Sequence, residues 1–221
     1  MDADLAWRVA GHAALGDLGR LRVVDALGAG DRSPSDLAAE LAMPSNLLAH
    51  HLKVLESADM VSRVRSESDR RRTYVRLVPQ ALARLGRWPI PAPPAGRVVF
   101  VCTANSARSQ LAAALWAAHG GQATSAGTHP AHRIHPGATR VARSHGLHLL
   151  AAAPASVADV LETADTVVTV CDSADREVGL THLHWSVEDP VAAGGAGAFE
   201  RAYSEIAGRI DQWCTPSAAA G

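Results

Sequence analysis

One cysteine and one arginine carry the clearest chemistry in this sequence. Cys102 ends the apolar run Val98–Cys102, and five residues separate it from Arg108. We expect a short β-strand to deliver the thiol to a tight loop, with a helix following from Arg108. Backbone N–H groups of such a loop converge on an anion, and the amino end of a helix adds positive potential. The spacing therefore predicts a thiolate nucleophile above an oxyanion cradle.

Side chains of the same stretch could complete this cradle. Arg108 can hold two oxygens of a tetrahedral anion in a bidentate fork. Ser109 could donate a hydrogen bond to the thiolate, and Asn105 could fix the shape of the loop. The predicted oxyanion-binding residues are Thr103, Ala104, Asn105, Ser106, Ala107, Arg108 and Ser109. The alternative is a buried structural cysteine followed by a surface arginine.

An oxyanion transfer also needs a general acid for the departing oxygen. Asp189, in Glu188-Asp189-Pro190, follows a predicted strand over Leu183–Val187. Loops at the carboxyl ends of parallel strands gather at one edge of a sheet, where Cys102 is also expected. Asp189 is therefore the candidate acid, and a simple Asp-Pro turn is the alternative.

The elements that position these residues fall into two halves. Prolines crowd the segment Trp88–Gly96, which excludes a helix or a central strand and predicts an extended linker. Beyond it, strands alternate with helices, which predicts an α/β domain on a parallel sheet. The expected divisions are a first domain over 1–87, the linker over 88–96, a second domain over 97–215 and a disordered tail over 216–221.

The first half has the pattern of a winged helix-turn-helix, mainly α with a β-hairpin wing. The predicted helices cover Leu15–Leu27, Asp36–Ala42 (capped by Ser35) and 46–58, and the predicted strands cover Met60–Val64 and Thr73–Leu77. In such a module the second helix of the motif lies in the major groove, with its first residues at base edges. A packing module with solvated arginines is the alternative.

Two groups of residues would contact DNA in that arrangement. The candidates for base edges are Ser45, Asn46, Ala49 and His50. The candidates for phosphates are Arg65, Arg70, Arg71 and Arg72, with Arg63 and Arg76 in the same hairpin. Residues 1–94 carry 13 Lys and Arg against 11 Asp and Glu, whereas residues 95–221 carry 8 against 11. The basic half and the acidic half suggest two different roles.

The segment Ala14–Leu77 resembles the ArsR-type winged-helix repressors. The resemblance rests on Leu-Gly-Asp-Leu-Gly-Arg-Leu-Arg, Ser-Asp-Leu-Ala, His-His-Leu-Lys-Val-Leu and the arginine-rich wing. It implies binding to double-stranded DNA as a homodimer, with the first helix in the dimer interface. Asp59 departs from the family's usual glycine. No cysteine precedes Cys102, so the thiolate site of the arsenic-sensing members is missing.

The segment Val98–Trp213 resembles the low-molecular-weight protein tyrosine phosphatases and, among them, the arsenate reductases. The matching residues are Cys102, Asn105, Arg108 and Ser109, Ser125-Ala-Gly127, and Asp189-Pro190. The resemblance implies a four-stranded parallel sheet with flanking helices and no bound cofactor or metal. Cys171 matches the second redox cysteine of the reductases. Phosphatases tend to carry tyrosines after Asp-Pro, where this chain has Val191-Ala-Ala-Gly-Gly.

The electron donor stays open. The thioredoxin-coupled reductases have a third cysteine seven residues after the second, and that position is Val178 here. Cys214 is a candidate substitute. The alternative is a small thiol, mycothiol or glutathione, with a glutaredoxin-like protein.

Three hypotheses follow for the whole chain. The first is an arsenic-resistance protein in which an arsenate reductase is fused to a DNA-binding regulator. The second is a phosphatase with a winged-helix docking module, and the third is a non-catalytic sensor of oxyanions or redox state.

We expect a cytoplasmic protein without a membrane segment, because the chain has no secretory signal and no apolar run of about 18 residues. His129, His132 and His135 predict a solvated or substrate-rim loop, and a metal site is the alternative.

Overall fold

The computed structural model describes residues 3–66, 69, 71–85, 94–179, 183–195 and 197–214. These residues form two compact units, one up to Leu85 and the other from Pro94 onwards. The linker residues 88–93 and the predicted tail over 216–221 lie outside the described part. The domain boundaries given above stay predictions. Within the described residues, no helix combines the length and apolar character needed to cross a membrane.

The N-terminal unit is a small helical domain with a two-stranded hairpin. It contains α1 (Ala3–Leu15), α2 (Leu18–Leu27), α3 (Pro34–Glu40), α4 (Ser45–Ser57), β1 (Val61–Arg65), β2 (Thr73–Leu77) and α5 (Pro79–Leu85). The strands β1 and β2 are antiparallel, with Val61 opposite Leu77. Leu48, Leu52 and Leu55 of α4 are buried in the core. This arrangement agrees with the predicted winged helix-turn-helix.

The predicted helix from Leu15 to Leu27 is wrong. The helix α1 ends at Leu15. The Asp17 carboxylate then accepts the backbone N–H of Arg20 at 3.0 Å, and this hydrogen bond caps the start of α2. Leu18 is consequently 75% exposed, while Val24 is buried. The apolar residues of this segment are three positions apart. A helix has 3.6 residues per turn, so side chains at that spacing do not stay on one buried face.

The cap predicted for the next helix is also wrong. Ser33, and not Ser35, caps α3 by accepting the backbone N–H of Asp36 at 3.2 Å. Pro34 takes the first helical position, which needs no N–H donor. The helix therefore begins two residues earlier than predicted.

The C-terminal unit is an α/β domain. It contains β3 (Val98–Cys102), α6 (Arg108–Ala118), β4 (Ala123–Gly127), α7 (Pro136–Ser144), α8 (Val157–Val160), β5 (Thr166–Thr169), α9 (Asp172–Glu177), β6 (Leu183–His184), α10 (Pro190–Ala193) and α11 (Ala198–Cys214). The sheet has the order β4-β3-β5-β6, and its pairs are parallel. The predicted four-stranded parallel sheet with flanking helices is thus confirmed. All five residues of β3 are buried, as expected for a central strand covered on both faces.

Two elements near the predicted site differ from the expectation. The run Thr166–Cys171 is rich in β-branched residues and predicts a strand over its whole length, but β5 ends at Thr169 and Cys171 caps the short helix α9. The strand expected over Leu183–Val187 covers only its first two residues, so Asp189 follows an extended segment and caps α10. The polar stretch that forms α9 has no apolar periodicity, which is why the sequence did not predict this helix.

Candidate active site

The thiol of Cys102 lies at the carboxyl end of the central strand β3 and is buried. Its Sγ accepts the backbone N–H of Asn105 at 3.2 Å. The hydroxyl of Ser109 lies 3.1 Å from the same sulfur. Both groups stabilise a thiolate more than a neutral thiol, because a charged acceptor makes the stronger hydrogen bond. The surroundings of Cys102 therefore suit a nucleophile.

Asn105 holds the loop in its shape. Its backbone has a φ of 48°, a left-handed conformation that asparagine adopts more readily than most residues. Its Nδ2 donates to Ser109 Oγ at 2.8 Å, which leaves the Ser109 proton directed to the Cys102 sulfur. Its Oδ1 accepts from Gln110 Nε2 at 3.1 Å and from the backbone N–H of Ala155 at 2.9 Å. The asparagine side chain thus joins three segments.

The carbonyl groups of this loop are used by the segment after β4. The backbone N–H groups of His129, Ala131 and His135 donate to the carbonyls of Thr103, Ala104 and Ser106 at 2.8–2.9 Å. These hydrogen bonds hold the carbonyls of the loop against that segment. Apart from the N–H of Asn105, which donates to Cys102 Sγ, the N–H groups of residues 103–109 are the ones we expect to receive an anion. This is the arrangement that the cradle hypothesis requires.

Gly127 explains how closely the two segments approach. A Cβ at this position would lie 2.7 Å from the Thr103 carbonyl oxygen and 3.0 Å from the Asn105 backbone nitrogen. Backbone atoms cannot yield as a flexible side chain can. A glycine is therefore required at the end of β4, as the Ser125-Ala-Gly127 match suggested.

Arg108 and Asp189 meet at the mouth of the cradle. The guanidinium of Arg108 is almost fully buried and donates through Nη1 to the carbonyl of Val187 at 2.8 Å. Its Nη2 lies 3.1 Å from Asp189 Oδ2, and Asp189 Oδ1 accepts the backbone N–H of Val191 at 2.9 Å. The structure therefore brings together the two residues that the sequence placed on separate loops.

Cys171 belongs to the same site. Its Sγ lies 3.4 Å from the hydroxyl of Thr103, the residue after Cys102, and it accepts the backbone N–H of Ala174 at 3.5 Å. Burial raises the pKa of the Cys171 thiol, and the nearby Cys102 raises it further. Arg108 acts in the opposite direction. Two cysteines within electrostatic reach of one arginine form the core of the candidate site.

Cys214, the candidate substitute for a third cysteine, lies elsewhere. It ends α11 and packs, half-buried, against the hydrophobic core. Burial raises the pKa of its thiol. No contact within the described residues connects it to Cys102 or Cys171. Nothing in the structure supports a role for Cys214 in the site.

The N-terminal unit presents its predicted DNA contacts to solvent. Ser45, Asn46, Ala49 and His50 are exposed on the first half of α4. In the hairpin formed by β1 and β2, Arg65, Arg71 and Arg72 are exposed. The side chain of Arg71 is 93% exposed and lies 3.3 Å from Asp69. Arg70 lies outside the described residues.

Two other arginines of the hairpin have structural partners. Arg76 donates to the buried carboxylate of Asp31 through Nε and Nη2 at 3.0–3.3 Å, and Arg63 pairs with Glu56. The expectation that Arg76 faces phosphates is therefore wrong. A buried carboxylate requires a partner, and the arginine supplies it.

Both units are similar to known protein families. Residues 97–219 match the family of low molecular weight phosphotyrosine protein phosphatases, and residues 19–64 match a helix-turn-helix domain. The chain belongs to the low molecular weight phosphotyrosine protein phosphatase family. Both predicted resemblances are confirmed at this level.

Relatives within the family carry a more specific name. An arsenate reductase of Brevibacillus brevis is 34% identical over 125 residues, which cover 52% of this chain and 92% of that protein. An arsenate reductase of Bacillus subtilis is 31% identical over 130 residues, covering 52% and 93%. A solved arsenate reductase from Archaeoglobus fulgidus is 30% identical, covers 54% of this chain and 99% of that one, and has a TM-score of 0.49.

Sequence reasoning missed several supporting residues of the family site. Gln110 holds the Asn105 carbonyl and side chain, and Ala155 reaches the same side chain from a loop 50 residues away. A backbone donor leaves no signal in residue type, so Ala155 could not have been found. The hydroxyl of Thr103 was overlooked because the residue was predicted for its backbone only.

The histidines after β4 have local partners. His135 accepts the backbone N–H of Gly137 at the start of α7 and stacks on Phe199, with ring centroids 4.7 Å apart. His129 lies 3.1 Å from Glu177 of α9, and His132 is exposed. No group of three metal-ligating side chains occurs among the described residues. The histidines support the segment that lies against the oxyanion loop.

Proposed function

We propose that the C-terminal unit is a thiol-dependent arsenate reductase and that the N-terminal unit is a DNA-binding regulator in the same chain. The first part rests on the position of Cys171. Its sulfur lies 3.4 Å from the hydroxyl of Thr103, the residue next to the nucleophile Cys102. A phosphatase needs one cysteine, whereas reduction by two electrons needs a second thiol. The relatives named arsenate reductase support the same assignment.

The first step is attack on the oxyanion. The Cys102 thiolate attacks arsenic while the cradle amides and Arg108 hold the oxygens. A sulfur–arsenic bond forms and an arsenic–oxygen bond breaks. Asp189, beside the Arg108 guanidinium, donates the proton with which the departing oxygen leaves as water.

The second step transfers the electrons. The Cys171 thiolate attacks the Cys102 sulfur, the sulfur–arsenic bond breaks, and its electron pair stays on arsenic. Arsenic(V) becomes arsenic(III) and leaves as arsenite, while the two thiols are oxidised to a disulfide. Cys102 no longer carries the thiolate charge once it is bonded to arsenic. One of the two causes that raise the Cys171 pKa is then removed.

The disulfide must be reduced before another turnover. We propose that an external thiol reductant supplies these electrons. The candidates stay thioredoxin, or mycothiol or glutathione with a glutaredoxin-like protein. Val178 stands where a relay cysteine would be needed, and it packs against the hydrophobic core. This favours direct reduction of the Cys102–Cys171 pair over transfer to a third cysteine.

One experiment separates reduction from hydrolysis. The purified protein is incubated with arsenate or with an aryl phosphate, and several thiol donors are supplied in parallel. We expect arsenite release that disappears in Cys102→Ser and falls strongly in Cys171→Ser. Phosphate release without arsenite would instead support the phosphatase hypothesis, since the cradle and Asp189 also suit a phosphomonoester. Neither product, together with DNA binding altered by arsenate or oxidant, would support a sensor without turnover.

The DNA-binding half of the proposal rests on α4 and the exposed arginines of the hairpin. In a cytoplasmic homodimer, α4 would enter the major groove while Arg65, Arg71 and Arg72 meet phosphates. We expect affinity for operator DNA, measured by fluorescence anisotropy, to fall as salt rises. Arg71→Ala should weaken binding and reduce the salt slope by about one ion. Arg140→Ala, in the other unit, is the matched control, and equal losses in both variants would contradict the assignment.

A further inference from the structure

A buried ionic cluster lies behind Cys171 and has no part in the steps above. His184 of β6 is 3% exposed, and its Nε2 lies 3.2 Å from Oδ1 of Asp172, which is also 3% exposed. Its Nδ1 lies 3.5 Å from Asp175 Oδ1 and 2.9 Å from the hydroxyl of Thr169. Both carboxylates belong to α9, whereas His184 and Thr169 belong to neighbouring strands. The cluster therefore connects the short helix to the sheet.

The imidazole of His184 lies between polar groups of the helix and of the sheet. The Thr169 hydroxyl donates to the carbonyl of Leu183 at 3.3 Å, so its oxygen is left to accept from His184 Nδ1. His184 Nε2 lies 3.2 Å from a carboxylate oxygen of Asp172, although the two atoms are not aligned for a hydrogen bond. Burial of the Asp172 carboxylate is costly without polar partners, and the imidazole beside it lowers that cost.

The cluster lies next to the second thiol in the chain. Asp172 directly follows Cys171, whose sulfur caps α9 by accepting the Ala174 N–H. At the other end of this helix, Glu177 lies 3.1 Å from His129 of the segment that supports the oxyanion loop. α9 has only six residues, too few to hold its position by helix propensity alone. Ala174 of this helix is buried in the hydrophobic core, and the side chains at the two ends of the helix supply its polar attachments.

We propose that His184 is a positioning residue for Cys171. By holding Asp172 and Asp175, it fixes the first turn of α9 and keeps the Cys171 sulfur beside Thr103 in line for the Cys102–arsenic adduct. His184 exchanges no proton or electron with the substrate. The inference rests on the proposed arsenate reductase function, because it concerns only the step that uses Cys171.

The test measures that step alone. Protein in excess over arsenate, without external reductant, is followed for arsenite release in a single turnover, and inorganic phosphate affinity reports the cradle. In His184→Asn we expect release to slow on the order of 10- to 100-fold, as for a small misplacement of a reacting group, with unchanged phosphate affinity. The matched control is His145→Asn, which removes an exposed histidine paired with Glu200 and should change neither quantity.

Rescue distinguishes positioning from a general structural defect. A small external dithiol can attack the adduct in place of Cys171, so it should restore arsenite release in His184→Asn to the wild-type rate. In a Cys171→Ser background, the His184→Asn change should cause no further loss. If His184→Asn loses phosphate binding, the milder Asp175→Asn carries the same test.

Two results would overturn the inference. The first is single-turnover release that is unchanged in both variants. The second is a loss that the dithiol does not restore. A wild-type protein that releases no arsenite under any condition would instead overturn the proposed function, and the inference with it.

Discussion

Two arginine–aspartate pairs of the same sheet differ in their geometry. One lies at the amino edge, where the strands begin, and the other lies at the carboxyl edge, where the strands end. At the amino edge, Arg97 precedes β3 and Asp165 precedes β5. Arg97 donates to both carboxylate oxygens at 2.7 Å, and Asp165 is 3% exposed. At the carboxyl edge, Arg108 Nη2 lies 3.1 Å from Oδ2 of Asp189, whose side chain is 35% exposed. The first pair is closed and the second is open.

The difference shows what each pair can do. Asp165 also accepts the backbone N–H of Glu162, so its oxygens are fully used in holding the start of two strands together. Arg108 donates through Nη1 to the Val187 carbonyl, and it is the arginine proposed to hold the oxygens of the anion. In the proposed mechanism Asp189 gives a proton to the departing oxygen, and its partial exposure gives it contact with water. The same residue types thus serve as a structural lock at one edge and as a working pair at the other.

The largest effect should come from exchanging the arginines for lysine. Arg108→Lys removes the bidentate fork and should lower kcat for arsenite release by about 10²- to 10³-fold, as for loss of an oxyanion donor. Arg97→Lys should leave kcat near the wild-type value and lower the urea midpoint of the C-terminal unit. Steady-state kinetics and urea unfolding of both variants test the pair together.

The comparison fails if the two substitutions behave alike. Equal losses of kcat would mean that Arg97 acts on the site through the sheet. An Arg108→Lys variant with wild-type activity would remove the arginine from the proposed mechanism.

The carboxyl edge was largely predictable from the sequence, and the amino edge was not. An apolar strand, a cysteine, five loop residues and an arginine form a local pattern, so Cys102 and Arg108 could be placed together from spacing. Cys171 and Asp189 were located through the family resemblance and the rule that parallel strands end at one edge. The Arg97–Asp165 pair joins residues 68 positions apart and has no motif. Pairing of that kind follows only from strand register.

The errors have a common physical cause. Leu18 and Arg76 were assigned from spacing and charge, and each is decided by a local competitor. The Asp17 cap starts α2 and leaves Leu18 outside, and the buried Asp31 takes Arg76 away from the solvent-exposed face of the hairpin. The helix α9, missed altogether, has Ala174 as its one apolar residue, and its Asp172 and Asp175 lie beside His184. Side-chain hydrogen bonds override local periodicity, whether the partner is three residues away, as for Asp17, or 45 residues away, as for Asp31.

A medium-sized effect should follow from filling the space between Gly127, at the end of β4, and the loop that leads from Cys102 to Arg108. Gly127→Ala places a methyl group 2.7 Å from the Thr103 carbonyl, so we expect a loss of phosphate affinity and about 1–3 kcal/mol of stability. The control is Gly208→Ala in α11, where nothing lies within 4 Å. That change should stabilise the unit by about 0.5–1 kcal/mol and leave phosphate affinity unchanged. A Gly127→Ala protein that binds phosphate normally would contradict the tight packing of the cradle.

The smallest effect concerns pH and belongs to the closed pair. Hydrogen bonds from Arg97 hold the pKa of Asp165 below its ordinary value, against the opposing effect of burial. A depressed folded pKa contributes stability that is complete above the unfolded value of about 4 and is lost as pH falls below it. Asp165→Asn should therefore lower the urea midpoint at pH 7 and flatten the acid-side decline below about pH 4. Asp189→Asn should instead reduce arsenite release and leave the acid-side decline of stability as in the wild type. Fluorescence of Trp116, Trp185 and Trp213, which belong to this unit, measures the midpoint. If the stability of Asp165→Asn falls as steeply with pH as that of the wild type, the Arg97–Asp165 pair is not the structural lock that its geometry indicates.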